Sequence, residues 1–306
     1  MLQQRTLEKE IKVTGIGLHS GKKVTLRLIP APINTGIQFR RSDLTGSEMI
    51  PAHALSVGAT ENNTTLGHGP GAIHTVEHLL AALYGLGINN LYCEVDGPEV
   101  PIMDGSSSSF VFILKEAGIE LLNASKKFIV MTKKVRVEHN GAWAEIEPAD
   151  RLTIDSTIVF AHPIINKQRL TFEFSCENFI KEISRARTFG LLVDVDNLKR
   201  KGLVRGGSLD NAIVLDDFKV VNNEGLRFQN EFVRHKILDT LGDLSLLGHE
   251  IAAKVTTFKS GHWLHNQLCR KVLADPDCYQ VVSANNLKQV DLEPFKLPQL
   301  ITATHS

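Results

Sequence analysis

The sequence predicts an α+β fold in two similar domains, each a β-sheet layered with helices. Three observations carry the prediction. The chain has 306 residues, and at roughly 100–200 residues per domain that is room for two. Hydrophobic residues make up 42% and charged residues 22%, so a packed core is within reach and a disordered type is excluded. In each half, strand-like segments come first and helices follow, which argues for α+β layers and against a doubly wound sheet.

In chain order, residues 24–29 alternate apolar and other side chains, as a half-buried strand does, and Pro30, Pro32, Asn34 and Gly36 mark turns after it. Ile73, Val76, Leu79, Leu80 and Leu83 recur at helical spacing, with Gly85 and Gly87 closing that helix. Residues 91–95 form a buried strand, and residues 111–117 a helix closed by Gly118. The polar stretch 123–127 is the expected linker between domains at 1–123 and 128–280. Strands follow at 128–137, 142–147, 153–160 and 168–174, then a helix at 177–186. A long helix runs over 231–247 on Phe232, Val233, Ile237, Leu238, Leu241 and Leu244, and Gly248 ends it. A strand at 251–257 and a helix at 264–273 complete the second domain. Residues 281–306 are expected as a polar tail, partly disordered.

Charge and cysteine content narrow the function. Lys plus Arg and Asp plus Glu both number 34, so a globally basic nucleic-acid binder is excluded. No apolar run reaches the ~18 residues of a membrane-spanning helix, and the amino terminus lacks an apolar signal core. The four cysteines show neither CxxC spacing nor a disulfide framework, which fits a reducing compartment and a cytoplasmic protein.

Two clusters carry chemistry. His235, Asp239 and Asp243 stand four apart on the long helix, near one face. One imidazole and two carboxylates in a row can hold a metal, or hold one and orient a neighbour. Spacing alone does not separate this from a solvated face with i,i+4 pairs. The second cluster, His74-Thr-Val-Glu77-His78, matches the inverted zinc-protease pattern H-x-x-E-H. Each cluster is expected about 0.03 times by chance in a chain of this composition, so counting cannot rank them. Helix geometry can. If Thr75 caps the helix, His74 lies outside it and the protease motif's histidine pair does not form. His78, His235 and Asp239 then give three ligands and leave a fourth position open, as in a catalytic zinc site. Glu77 is the natural base for water whose pKa zinc lowers toward ~7. His262 is the candidate acid, with Asp243 to hold it protonated; the alternative is an ordinary loop histidine. Lys199-Arg-Lys201 with Arg205 reads either as a diphosphate contact or as a solvated helix end. Ser106–Ser109 lacks the Gly-x4-Gly-Lys pattern of a phosphate loop and reads as a capping turn. His265 and most other histidines default to structural or surface roles.

With these residues assembled, the chain strongly resembles the UDP-3-O-acyl-N-acetylglucosamine deacetylases, the zinc enzymes of lipid A biosynthesis. The resemblance rests on Thr-Val-Glu-His-Leu-Leu-Ala-Ala-Leu-Tyr-Gly-Leu-Gly-Ile-Asn-Asn at 75–90, Gly-Pro-Glu-Val-Pro-Ile-Met-Asp-Gly at 97–105, Ala-Arg-Thr-Phe-Gly at 186–190 and Gly-Gly-Ser at 206–208. His-Lys-Ile-Leu-Asp-Thr-Leu-Gly-Asp at 235–243 and Ser-Gly-His at 260–262 complete it. Order and spacing agree from about residue 3 to 275.

The resemblance implies helices of the two domains facing each other, and zinc, with iron as the alternative in the cell, on His78, His235 and Asp239. It makes Glu77 the base, His262 the acid or electrostatic partner, Asp243 its orienter and Thr188 the donor to the oxyanion. Phe189, Lys236, Lys259, Phe160 and Asp194 would line the substrate site. Leu192 and Val204 would line a hydrophobic passage in a βαβ insertion near 191–208, and His19 sits in a turn near the active site. The implied partner is a UDP-linked acylated amino sugar, acted on by a single chain with at most peripheral membrane contact and no nucleic acid. Some members carry a cysteine in the loop that is 60–66 here; this chain has none there. Two other classes stay open: an inverted-motif zinc protease, and a non-catalytic nucleotide–lipid binding module.

Overall fold

The computed structural model describes residues 2–297 except 201 and 289, without the side chains of residues 196, 198 and 199. The side chains of Leu198 and Lys199, residue Lys201 and residues 298–306 of the expected tail lie outside the described part.

The fold is α+β. In the first half, Ile11–Ile16 pairs antiparallel with Lys23–Pro30, and Lys23–Pro30 with Leu91–Val95. Leu91–Val95 runs parallel to Ile37–Arg41, and Ile50–Pro51 closes the edge. Alternation within Lys23–Pro30 buries Val24, Leu26 and Leu28, as expected of a sheet with one face on a core. Helices α1 (Glu77–Gly85) and α2 (Ser108–Glu116) pack together beside this sheet.

The second half builds a seven-stranded sheet around Glu250–Phe258, which pairs with Lys127–Met131, Ala142–Pro148 and Thr153–Val159. A smaller unit follows the π-helical turn Phe179–Ile183: strand Phe189–Leu191, helix α3 (Leu192–Arg200) and the parallel strand Ile213–Leu215. Helix α4 (Glu231–Leu244) lies against Thr153–Val159 and Lys167–Glu173, and α5 (His262–Ala274) against Val135–His139 and Ala142–Pro148.

Helices α1 and α4 meet at the centre. Gly242 makes the contact close: a Cβ there would lie 2.2 Å from the carbonyl oxygen of Glu77. Any side chain at 242 would push apart the two helices that carry the candidate site. No helix among the described residues is long and apolar enough to cross a membrane.

Several expected boundaries differ, each for a local reason. Residues 123–127 are not a loose linker. Ile119–Ser125 is a strand paired with Gln3–Leu7, and Lys126 is fully buried, donating to Gly87 O and to Glu250. A buried ammonium needs such partners. The strand expected over 128–137 breaks after Met131, where Thr132 N turns to Cys278 O, and resumes at Val135–His139. The helix expected over 177–186 is a three-residue turn, Cys176–Asn178, capped by Ser175 and followed by the π turn. The long helix ends at Leu244 and tightens into Ser245–Leu247 before Gly248 takes φ 86°. The tail contributes structure: Tyr279–Ser283 pairs with Lys127–Met131, and Phe295 is buried against the rings of Phe128 and Phe174, 4.9 and 5.3 Å away.

Candidate active site

The site starts where the chain enters α1. Thr75 is not the cap. Its φ is 59°, unusual for a β-branched residue, and its hydroxyl donates to Glu99 Oε1 at 3.0 Å. The same buried carboxylate accepts the amides of His19 and Ser20. The sharp turn leaves His74 outside the helix, where Nδ1 shares a 2.8 Å hydrogen bond with Thr65 Oγ1. Glu77 and His78 then open the helix, and every residue of α1 is buried. A helix that is apolar nearly all round belongs in a core, so its first two polar residues are carried inside with it.

His78, His235 and Asp239 converge there. His235 Nε2 lies 3.3 Å from Asp239 Oδ1, and His78 Nε2 lies 3.6 Å from the same oxygen. The two rings stand edge to face with centroids 4.9 Å apart. None of the three is more than 4% exposed, so the solvated-face alternative for α4 does not hold. His235 Nδ1 donates to Ala186 O at 3.0 Å, which turns Nε2 toward Asp239. Burial keeps His235 neutral, its pKa pushed down to about 3. Burial opposes the charge of Asp239 too, but its pKa stays below the usual carboxylate range, with the Lys236 ammonium 2.8 Å from Oδ2 favouring the ionised form. Asp239 Oδ1 has no hydrogen-bond partner among the described residues. An unpaired buried carboxylate oxygen is costly. Two imidazole nitrogens aimed at it make a donor set that fits a divalent cation of zinc type.

Across from this group, Glu77 Oε1 and His262 Nε2 are 3.8 Å apart. Glu77 is anchored by Thr64 N on Oε2 at 3.0 Å. Burial raises its pKa, and His262 and His78 offset only part of that. His262 donates Nδ1–H to Asp243 Oδ2 at 2.8 Å. Burial disfavours its cation, but the carboxylates of Asp243 and Glu77 prevail and raise it to about 9. Asp243 is held below the usual carboxylate range; burial opposes this, and His262 and His265 overcome it. Glu77, His262, His78, His235 and Asp239 face a cavity of about 250 Å³, also lined by His19, Thr188, Phe189, Val195, Val204 and Lys236. An outer cavity of about 770 Å³ carries Phe160, Asp194 and Arg200 and shares Asn62, Phe189, Gly190 and Val195 with the inner one.

Residues 4–274 match the model of the LpxC family, the UDP-3-O-acyl N-acetylglycosamine deacetylases. The chain belongs to this family. It is 54% identical over 283 residues to the UDP-3-O-acyl-N-acetylglucosamine deacetylase of Vibrio vulnificus, covering 92% of this chain and 93% of that one. It is 53% identical to the enzyme of the same name from Aliivibrio fischeri over 99% of this chain and 100% of that one. For the Sodalis glossinidius enzyme the figures are 50%, 98% and 99%.

In this deacetylase-family fold, most of the residues singled out by sequence line the two cavities, and Asp243 stands behind them, bonded to His262. Two others line neither. Leu192, 45% exposed at the start of α3, lines neither cavity; Val195, one turn on, does. Lys259 is exposed on a left-handed residue, with its ammonium over the Phe258 ring. The strand–helix–strand unit also runs further than 191–208, to Leu215. It is tied to the His19 turn at Gly206, whose amide donates to Leu18 O and where a Cβ would lie 2.3 Å from Gly17 O.

Sequence reasoning missed Asn62, Thr64, Glu99 and His265. Asn62 takes φ 63°, which the Asn-Asn pair at 62–63 hinted at. Thr64 and Glu99 act through partners far away in sequence, for which no local pattern exists. His265 lies three residues from His262 on one helix, and that spacing was the available signal.

Proposed function

We propose that this chain hydrolyses the N-acetyl group of UDP-3-O-acyl-N-acetylglucosamine, giving UDP-3-O-acyl-glucosamine and acetate, in lipid A biosynthesis. The observation that carries the reading is the Glu77–His262 pair lining one cavity with His78, His235 and Asp239, in a chain of the deacetylase family. Zinc held by those three residues would supply a Lewis acid and lower the pKa of a water molecule toward ~7.

The chain's own residues do the rest. Glu77, made more basic by burial, takes a proton from the attacking water. The water oxygen adds to the acetyl carbon, and the Thr188 hydroxyl donates to the oxyanion. His262, protonated across the neutral range, first stabilises that charge and then gives its Nε2 proton to the sugar nitrogen as the C–N bond breaks. Asp243 keeps the His262 ring aimed. Lys236, with its ammonium 5.6 Å over the Phe189 ring, and His19 hold the sugar side. Phe160 and Asp194 line the outer cavity for the rest of the substrate. The acyl chain lies along Val195 and Val204.

The inverted-motif protease is not favoured, because His74 is outside α1 and bonded to Thr65 rather than beside His78. A non-catalytic binding module has no use for a buried acid–base pair beside three ligands. The four buried cysteines form no disulfide, which fits a cytoplasmic setting; we take the chain to act singly.

The test is to incubate the pure protein with UDP-3-O-acyl-N-acetylglucosamine, with and without chelator, and measure acetate. Acetate that disappears with chelator and returns with zinc is expected. No acetate from zinc-loaded protein overturns the reading, and release indifferent to chelator removes the metal from it.

A further inference from the structure

Helix α5 brings two histidines, not one, to Asp243. His262 Nδ1 and His265 Nδ1 lie 2.8 and 2.7 Å from the same oxygen, Oδ2. The rings stand nearly perpendicular, at 88° with centroids 6.4 Å apart. The other oxygen, Oδ1, accepts from the Thr64 hydroxyl. The carboxylate is therefore held by three donors from three directions. His265 is itself fixed: it is 1% exposed, and its Nε2 is 2.9 Å from Ser260 Oγ and 3.3 Å from Thr240 Oγ1. The Thr240 hydroxyl already donates to Lys236 O, so Ser260 is the hydroxyl free to donate to Nε2. That leaves the His265 proton on Nδ1, directed at Asp243.

We propose that His265 is a positioning residue for the acid: it grips Asp243 Oδ2 from the far side, fixes the angle His262 needs, and takes up part of the carboxylate's negative charge. A carboxylate bonded to His262 alone would pull harder on the His262 proton. With His265 also bonded, His262 keeps a proton that it can more readily surrender to a leaving amine. The sign does not depend on the charge of His265, because a neutral donor weakens Asp243 as an acceptor and a cation adds repulsion. Burial disfavours the His262 cation, while the other charged groups acting on it, Glu77 from α1 and Asp239 from α4, favour it; His265, by drawing on Asp243, acts in the same direction as burial.

This inference rests on His262 being the acid, and the test separates the two. His265→Gln places its amide where Nε2 was, near Ser260, and loses the bond to Asp243. His265→Asn places its amide nitrogen where Nδ1 was and keeps it. The His262 midpoint is read twice, from NMR titration of its ring and from the alkaline limb of kcat/KM. In His265→Gln both readings should rise by roughly 0.5–1 unit, with kcat/KM at neutral pH down several-fold and zinc content unchanged. In His265→Asn the midpoint should stay near that of the unmodified protein. If the ring titration moves and the rate limb does not, the positioning holds and His262 is not the acid. If His265→Gln leaves the ring midpoint where it was, the proposal is overturned. His265→Leu, which also removes the donor, gives the same decision should the Gln variant not fold.

Discussion

Asp239 and Asp243 sit one turn apart on the same helix, are equally buried, and have opposite surroundings. Asp239 gives one oxygen to Lys236 and leaves the other without a partner, facing two imidazole nitrogens. Asp243 has both oxygens occupied, by Thr64 on one and His262 and His265 on the other. The first has the unused lone pairs that a metal ligand needs; the second has its lone pairs taken by neighbouring donors. The donor atoms of Asp243, His262 and His265 also lie within 4.8 Å of one another, so proximity alone would class both groups as metal sites. What separates them is whether the lone pairs and protons are already used.

The largest effect that can break this comparison is at Glu77. Glu77→Ala should lower kcat by about 10²–10⁴-fold and remove the acidic limb of the pH profile, since the limb belongs to a carboxyl raised by burial. Near-normal turnover of Glu77→Ala would take it out of the chemistry.

Next is His262. Its cation is favoured up to about pH 9, so activity should fall as pH rises through that value, and His262→Ala should lose the limb along with a similar share of the rate. The same shift has a stability consequence. A histidine raised from 6.5 to about 9 contributes stability that is complete below pH 6.5 and is lost as pH rises toward 9. Thermal melts of the zinc-free protein between pH 6 and 10 should show that decline, and His262→Ala should flatten it.

A smaller and more selective effect belongs to the passage. Each CH₂ moved from water is worth about 0.8 kcal/mol, so removing the 3-O-acyl group should lower kcat/KM by orders of magnitude. Val204→Asp or Val195→Asp should weaken acylated substrate about tenfold or more and leave zinc content intact. Equal kcat/KM for acylated and unacylated UDP-sugar would sink the passage. The smallest effect is expected at His74, bonded to Thr65 away from the ligands: His74→Ala should keep its zinc.

Much of this was legible in the sequence because helix period reports which side chains share a face. The spacing of His235, Asp239 and Asp243, and the exclusion of His74 from α1, are of that kind. The capping argument placed His74 correctly although Thr75 turned out to be a left-handed corner held by Glu99, a contact across 24 residues that no local rule supplies. An apolar residue at the start of a short exposed helix reads the same whether it faces a cavity or water, so sequence alone could not see that Leu192 is 45% exposed while Val195, one turn on, lines both cavities. The tail was read as polar and loose because Phe295 is a lone aromatic whose partners, Phe128 and Phe174, lie over a hundred residues earlier.

The most direct test of the difference between the two aspartates is zinc content. The protein, Asp239→Asn and Asp243→Asn are each loaded, dialysed and measured by atomic spectroscopy. The unmodified protein and Asp243→Asn should hold about one zinc per chain, and Asp239→Asn should lose it. Zinc retained in Asp239→Asn and lost in Asp243→Asn would place the metal on the wrong carboxylate and contradict the account.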